Sequence, residues 1–177
     1  MDGENLSGAD NQQERPGFEQ WIVGFVDGEG CFSIALYPNR TYKLGWQVLP
    51  DFVVVQGEKS ISVLYELKRF FGCGNVYVNR RHDNHREDMF RWNVRSQADL
   101  VTRIIPFFEQ YPLRTAKKDE FVKFSEVVRM ISRHEHLCVD GLRRIAEIAQ
   151  TMNHRKPSRY LESSEAIRQP TLLDAKS

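Results

Sequence analysis

The segment 18–32 constrains the fold more than any other part of this 177-residue chain. Its first part places apolar residues at helical spacing, namely Phe18, Trp21, Ile22, Phe25 and Val26. Gly28 and Gly30 then interrupt the helical pattern, and residues 31–37 alternate as in a β-strand. The sequence therefore predicts a helix that brings two carboxylates, Asp27 and Glu29, to its own C-terminal end.

Two features of this predicted helix call for a partner. Carboxylates are unfavourable at a helix C-terminus, which already carries partial negative charge, so we expect a cation there. A hard divalent ion such as Mg²⁺ takes oxygen ligands from one or two carboxylates. Gly24 and Gly28 lie one turn apart, and this spacing costs helix stability unless another backbone approaches closely. The alternative is an ordinary amphipathic core helix with an exposed acidic end.

The run 22–30 (Ile-Val-Gly-Phe-Val-Asp-Gly-Glu-Gly), followed by Cys31 and Phe32, resembles the motif of the LAGLIDADG homing endonucleases. The resemblance covers roughly residues 18–153 and includes one copy of the motif. It implies an α+β fold of the order αββαββα, in which a curved antiparallel sheet forms a saddle with helices on one face. Single-motif members form homodimers through the motif helix, which implies an interface containing Trp21, Gly24, Phe25 and Gly28.

Length and composition place this fold in a single domain. A chain of 177 residues is long enough for one hydrophobic core. We expect a disordered acidic N-terminal tail at 1–15, an endonuclease domain at 16–153 and a basic, weakly ordered C-terminal tail at 154–177. Three cysteines without paired spacing favour neither a disulfide framework nor a zinc site. No apolar run is long enough to cross a membrane. The resemblance implies an intracellular location, in the cytoplasm or nucleoid or in the matrix of an organelle that holds the intron-bearing genome.

The charges are segregated along the chain although the net charge is only +1. Residues 1–30 carry seven acids against Arg15 alone, whereas residues 31–118 carry fourteen Lys and Arg against eight acids. A basic middle segment is typical of a phosphate-binding surface. The alternative is a solvated surface without a ligand.

Two β-hairpins are predicted in this basic segment, the first with strands at 31–37 and 44–56 and the second with strands at 75–79 and 89–95. Pro50 indicates a bulge or bend in its strand. Arg and Lys side chains read guanine in the major groove, and Asn and Gln read adenine, whereas bases at hairpin tips hold phosphates. The alternative is the solvated face of an antiparallel sheet. The predicted DNA-binding residues are Ser33, Ala35, Tyr37, Asn39, Arg40, Thr41, Tyr42, Lys43, Gln47, Tyr77, Asn79, Arg80, Arg81, Arg91, Asn93 and Arg95.

The resemblance also assigns catalytic roles. Glu29 matches the acidic position that binds metal in the family, and Asp27 is either a secondary metal ligand or a brace for the helix end. Gln56 matches the position that orders water around the scissile phosphate. Lys117 resembles the basic catalytic residue, with Lys118 as the neighbouring alternative. A second basic position falls on Ser60 by counting, so either Lys59 replaces it or the role is absent. Mg²⁺ is the expected cofactor, and Mn²⁺ or Ca²⁺ can occupy the same site.

The function implied by the resemblance is that of an intron-encoded, Mg²⁺-dependent endonuclease. A homodimer would cut a long pseudo-palindromic double-stranded DNA site and leave short 3′ overhangs. Two alternatives use the same fold, namely a maturase that binds its intron RNA and a regulator that binds DNA without cutting it. The presence of Asp27, Glu29, Gln56 and Lys117 together favours the nuclease.

Overall fold

The computed structural model describes residues 17–79, 88–152 and 158–168. Helix α1 (Phe18–Glu29) leads directly into β1 (Gly30–Pro38), and β2 (Trp46–Gly57) returns beside it. A 3₁₀ turn (Glu58–Ser60) precedes α2 (Ile61–Phe71), and a second hairpin follows with β3 (Asn75–Asn79) and β4 (Met89–Val94). The remaining elements are α3 (Gln97–Asp99), a π-helical segment (Leu100–Ile104), α4 (Ile105–Gln110), α5 (Lys117–Ser132), a 3₁₀ turn (Glu135–Leu137), α6 (Val139–Gln150) and α7 (Arg159–Arg168). The predicted order of helices and hairpins is confirmed.

The four strands form one antiparallel sheet in the order β1-β2-β4-β3. Alternate residues of each strand face the same side, and on one side they join the main hydrophobic core with residues of α1, α2, α4 and α5. The strand residues of this core include Phe32, Phe52, Val54, Trp92 and Val94. The alternation predicted from the sequence is therefore confirmed, and the other side of the sheet carries the polar residues, here called the outer face.

The first hairpin differs from the prediction in two details. Its return strand begins at Trp46 rather than Leu44, because Gly45 (φ 72°) closes the turn with a hydrogen bond from its N–H to the Tyr42 carbonyl. Pro50 forms no bulge and pairs directly with Ile34 in a continuous register. Strand β4 pairs with β2 only from Phe52, so Pro50 has a neighbouring strand on one side only, where its missing N–H is tolerated.

The helix breaks also differ from expectation at one glycine. Gly28 lies inside α1, and the helix ends at Glu29, immediately before Gly30, which begins β1. Gly72, by contrast, ends α2 with a left-handed conformation (φ 63°). A helix therefore carries Glu29 as its last residue, immediately before the first strand.

The C-terminal region departs from the expectation of a weakly ordered tail between 159 and 168, where α7 forms. Tyr160 on this helix is buried in a cluster with Leu142 and Ala146 of α6, and its ring meets that of Trp46 edge-on at 5.4 Å. Because an aromatic side chain buries a large apolar area, this contact stabilises α7 against α6. The predicted N-terminal tail lies outside the described residues. Along the described parts of the chain, no helix is both long and apolar enough to cross a membrane.

Candidate nuclease site

The carboxylate of Asp27 is fully engaged within the chain. Its Oδ2 accepts a hydrogen bond from the backbone N–H of Arg114 at 2.8 Å. Its Oδ1 accepts from the backbone N–H of Thr115 at 3.3 Å and from the Thr115 hydroxyl at 2.8 Å. Burial raises the pKa of Asp27, but the combined effect of these hydrogen bonds and the charge of Lys117 is larger and opposite. The pKa of Asp27 therefore lies below its ordinary value. Asp27 thus serves as the brace that ties α1 to the segment before α5.

Lys117 holds the end of α1 from the other side. Its Nζ donates to the carbonyl oxygens of Val26 at 2.9 Å and Gly28 at 3.3 Å. A cation at this place compensates the negative end of the helix. Burial lowers the pKa of Lys117, although the nearby Cys31, Asp27 and Glu29 oppose that shift. The neighbouring Lys118 is exposed and makes no such contact, so the geometry distinguishes the two lysines and favours Lys117.

Glu29 is exposed at the last position of α1, and no protein group among the described residues donates a hydrogen bond to its carboxylate. Two free carboxylate oxygens suit a hard divalent cation. The described residues contain no group of three His, Cys, Asp or Glu side chains arranged for a metal ion. One chain therefore offers a single carboxylate, which fits Mg²⁺ because this ion keeps several waters and binds substrate phosphates.

A cleft of about 460 Å³ runs beside this helix end and is lined by Gly28, Gly30 and Lys117. Cys31 and Glu120 also line it, and sequence reasoning assigned neither of them to the site. Burial raises the pKa of the Cys31 thiol. Glu120 lies three residues after Lys117, a spacing that places both on one face of α5. This spacing is the sequence feature from which the position of Glu120 beside Lys117 could have been predicted.

Gln56 reaches the same region through strand pairing. Val54 pairs with Gly30, so Gln56, two residues further along β2, lies beside the end of α1, which packs on β2. Its amide is half-buried and makes no hydrogen bond to the described residues. The structure thus brings Glu29, Gln56 and Lys117 to one end of the sheet. Ser60 and Lys59 lie in the following 3₁₀ turn, with Lys59 exposed.

The predicted DNA-binding residues divide into exposed and internally bonded sets. Tyr37 and Tyr77 are exposed on the outer face, as are Arg40, Tyr42 and Lys43 at the tip of the first hairpin. Asn39 instead organises that tip, because it donates to Gln47 Oε1 at 3.1 Å and accepts from both the N–H and the hydroxyl of Thr41. Ser33 and Ala35 are half-buried on the same face. The side chain of Asn79 and all of Arg80 and Arg81 lie outside the described residues.

The three predicted contacts on β4 and just beyond it differ from one another. Arg91 is half-buried, and its Nε is buried without a hydrogen-bond partner among the described residues. Asn93 is only 6% exposed and donates to Asp51 Oδ1 at 3.3 Å. Arg95 follows the end of the strand and donates to Asp51 Oδ2 from Nε at 2.9 Å and from Nη2 at 2.7 Å. Sequence reasoning missed Asp51, because only the strand register brings it beside Asn93 and Arg95.

The predicted interface residues form an apolar stripe along α1, on which Trp21, Gly24 and Gly28 are exposed, whereas Phe25 is half-buried and packs against the main core. Phe18, Trp21 and Phe25 stack in succession, with ring centroids 5.3 and 5.0 Å apart, and Trp21 is 38% exposed. Gly24 and Gly28 are exposed, and beyond the neighbouring backbone of α1 a Cβ added at either would have no atom of the described residues within 4 Å. This surface is open to close approach by another helix.

The chain is similar in sequence to several known proteins. The family model described as LAGLIDADG endonuclease matches residues 22–128. A probable intron-encoded endonuclease 3 of Neurospora crassa is 33% identical over 135 residues, which cover 75% of this chain and 24% of that protein. DNA endonuclease I-CeuI of Chlamydomonas moewusii is 28% identical over 125 residues, which cover 69% of this chain and 56% of that protein. The chain thus spans about a quarter of the length of the first curated relative.

Two solved structures are similar to the chain, one over nearly the whole of its own length and one over about half of its own length. The homing endonuclease I-TnaI is 44% identical with a TM-score of 0.74, and the match covers 85% of this chain and 97% of that one. I-SmaMI, bound to an uncleaved DNA target in the presence of calcium ions, is 31% identical with a TM-score of 0.74, and the match covers 84% of this chain and 48% of that one. With the motif helix, the antiparallel sheet and the family match over 22–128, the chain belongs to the LAGLIDADG endonuclease family.

Proposed function

We propose that this protein is an intron-encoded homing endonuclease that cuts both strands of a long, pseudo-palindromic DNA site. One observation carries the proposal: the carboxylate of Asp27 is bonded within the chain, whereas Glu29 projects from the same helix end and accepts no hydrogen bond from the described residues. A carboxylate at the negative end of a helix is unfavourable unless a cation offsets it. The Lys117 ammonium donates to the carbonyls of Val26 and Gly28, so both Glu29 oxygens are open to a second cation.

Glu29 would hold a divalent cation, with Mg²⁺ expected and Mn²⁺ or Ca²⁺ as substitutes. When bound, such an ion supplies charge stabilisation at the phosphate and lowers the pKa of a bound water. The residues of the chain would then divide the remaining work. The half-buried Gln56 amide would orient water near the scissile phosphate, and Lys117 would keep the end of α1, and with it Glu29, in place.

The apolar stripe on α1 supports a homodimer. Trp21, Gly24, Phe25 and Gly28 would pack against the same residues of a second copy around a two-fold axis, as a self-complementary patch does. The coverage of the two structural matches agrees with this arrangement, since the chain matches nearly all of I-TnaI but about half of the longer I-SmaMI chain. The two Glu29 residues would lie close to the axis, and each would serve one strand.

The outer faces of the two sheets would bind the two half-sites. The exposed residues Tyr37, Arg40, Lys43 and Tyr77 follow the strands and the first hairpin tip. A two-stranded ribbon fits the major groove, and the tip bases would bind phosphates. Cutting would leave short 3′ overhangs, and the protein would act in the compartment that holds the intron-bearing genome.

The test is cleavage of a randomised library of double-stranded DNA with Mg²⁺, comparing wild type with Glu29→Gln. The substitution removes the charge and keeps the shape, so we expect cleavage to fall by about three orders of magnitude, since a metal ion contributes several kcal/mol to the transition state. DNA binding and thermal stability should stay at the wild-type level. Gel analysis of the cut ends and a filter-binding assay measure both.

Glu19→Gln is the matched control, because it makes the same substitution in the first turn of the same helix. It should cleave like wild type. A Glu29→Gln variant that cuts normally would remove Glu29 from the site. If neither wild type nor variant cuts any DNA while both bind nucleic acid, the maturase or the non-cleaving regulator replaces the nuclease.

A further inference from the structure

Asp51 is the centre of a polar cluster on the outer face of the sheet. It lies on β2 between Ser33 of β1, with which it pairs, and the end of β4. Its Oδ2 accepts hydrogen bonds from both Nε and Nη2 of Arg95, and its Oδ1 accepts one from Asn93 Nδ2. Three hydrogen bonds from residues more than forty positions away in sequence converge on this one carboxylate.

The cluster fixes Arg95 more firmly than an ordinary surface ion pair would. The Asp51 side chain is 13% exposed and the Arg95 side chain 45% exposed. A carboxylate that is mostly withdrawn from water requires hydrogen-bond partners. The bonds from Nε and Nη2 converge on the same oxygen, Oδ2, and together restrain the plane of the guanidinium. Asn93, itself buried, prevents the carboxylate from rotating away.

Counting donors shows what remains for a ligand. A guanidinium has five N–H donors, and Asp51 takes one from Nε and one from Nη2. Arg95 makes no other hydrogen bond to the described residues, so Nη1 and the second N–H of Nη2 are free on one edge. Two parallel donors on one edge match the O6 and N7 acceptors of guanine in the major groove.

We propose that Asp51 is a specificity-determining positioning residue, which holds the guanidinium of Arg95 for bidentate recognition of one guanine in each DNA half-site. This inference rests on the proposed function and adds a base preference to it. A phosphate is a poorer ligand for Arg95 than guanine, because the adjacent Asp51 carboxylate offsets the charge that would attract it. The neutral acceptors of guanine meet no such repulsion.

The strand register places this guanine in the half-site. Val54 pairs with Gly30, the residue after Glu29, and Asp51 lies three residues from Val54 along β2. At about 3.3 Å per residue, Asp51 lies roughly 10 Å from the start of β1. The guanine recognised by Arg95 therefore belongs to the inner part of the half-site, roughly three base pairs from the cleavage position at about 3.4 Å per base pair.

The experiment begins with selection of the preferred target of the wild-type protein from a randomised DNA library. Binding is then measured against a panel in which each base pair of that target is changed singly. In Arg95→Ala, we expect discrimination at one inner guanine to fall by about 10- to 100-fold. Asp51→Asn should lose discrimination at the same base pair and at no other. The double variant should be no worse than Arg95→Ala, because Asp51 acts through Arg95.

Two further variants serve as controls for this binding experiment. Arg95→Gln keeps a polar side chain that can still donate a hydrogen bond to Asp51 but lacks the guanidinium, so it should fold, lose the guanine preference and favour adenine at that base pair. Arg40→Ala, at the exposed hairpin tip, should lower affinity equally for every member of the panel, as loss of a phosphate contact does. Thermal unfolding of each variant checks the fold.

The outcomes separate the two proposals. If Asp51→Asn discriminates like wild type, or weakens binding equally for all targets, Asp51 and Arg95 form a structural ion pair or a phosphate contact, and this inference is overturned. A wild-type target without guanine at an inner position overturns it as well and leaves the nuclease intact. A wild-type protein that selects no DNA target at all overturns both.

Discussion

The two faces of α1 are satisfied in different ways. The inner face, with Ile22, Val23 and Val26, is buried against this chain's own sheet and helices. The opposite face, with Trp21, Gly24 and Gly28, is exposed, and beyond the neighbouring backbone of α1 no atom of the described residues lies within 4 Å of a Cβ added at either glycine. The two acids at the helix end differ in the same way, because Asp27 is bonded to Thr115, while Glu29 accepts no hydrogen bond from the described residues. One face and one acid make their contacts within the subunit, and the other face and acid are those for which we propose a second subunit and a metal ion.

Gly24→Leu tests the exposed face of α1 and should have the largest effect on dimerisation and cleavage. The folded subunit accepts the side chain, since beyond the neighbouring backbone of α1 no atom of the described residues lies within 4 Å of the added Cβ, and Leu favours a helix by about 1 kcal/mol over Gly. The dimer should lose its stability, because overpacking costs about 1–3 kcal/mol per site and each dimer carries two sites. Sedimentation and cleavage assays should show a folded, inactive monomer.

Ile22→Ala on the opposite face is the matched control. It should lower the free energy of unfolding by about 2–5 kcal/mol through the cavity it leaves in the core, while the remaining folded protein still dimerises. A Gly24→Leu variant that remains a fully active dimer would refute the division between the two faces.

Lys117→Met and Lys118→Met compare the two candidate lysines at the helix end. Lys117→Met removes the donor to the Val26 and Gly28 carbonyls and should lower the free energy of unfolding by about 1–2 kcal/mol, together with a strong loss of cleavage. Lys118→Met should stay within about 0.5 kcal/mol of wild type and remain active. Chemical denaturation and cleavage assays measure both, and the reverse pattern would transfer the role to Lys118.

Asp27→Asn should have the smallest effect, confined to a range of pH. The folded-state pKa of Asp27 lies below its ordinary value of 3.8. Its contribution to stability is therefore fully present above that value and is lost as the pH falls through the lower folded-state pKa. The difference in melting temperature between wild type and Asp27→Asn should be constant near neutral pH and shrink in acid.

Asp119→Asn, which changes an exposed carboxylate on α5, provides the comparison. It should leave the melting temperature and its dependence on pH close to those of wild type. If the difference between wild type and Asp27→Asn instead grows in acid, the brace is not held by an ionised carboxylate.

Local patterns predicted much of the fold because the relevant interactions are close in sequence. The helical spacing of 18–26 predicted α1, and the alternation of residues 31–37 predicted β1. Helix α7 and the burial of Tyr160 were not predicted, because the segment around Tyr160 is mostly polar. Strand β2 is also shorter than predicted. Gly45 closes a turn with its positive φ, and hydrophobic periodicity does not predict such a turn.

The different contacts made by chemically similar residues could be identified only from the tertiary structure. Asp27 and Glu29 are two residues apart and have the same chemistry, yet the bonds that separate them come from Arg114 and Thr115, more than eighty residues later. Likewise, Asn93 and Arg95 were predicted from alternation to face outward. Their shared partner Asp51 depends on the register of β2 against β4.

The sequence by itself therefore determined the motif helix and the two hairpins, because these follow from local periodicity and from a dense motif, and the same motif led to the prediction that Glu29 binds metal. Only the tertiary structure decided that Asp27 is a brace, that Lys117 rather than Lys118 meets the helix end, and that Asp51 orients Arg95. Such contacts join segments far apart in the chain. Their geometry is fixed by packing and strand register, which no local pattern encodes.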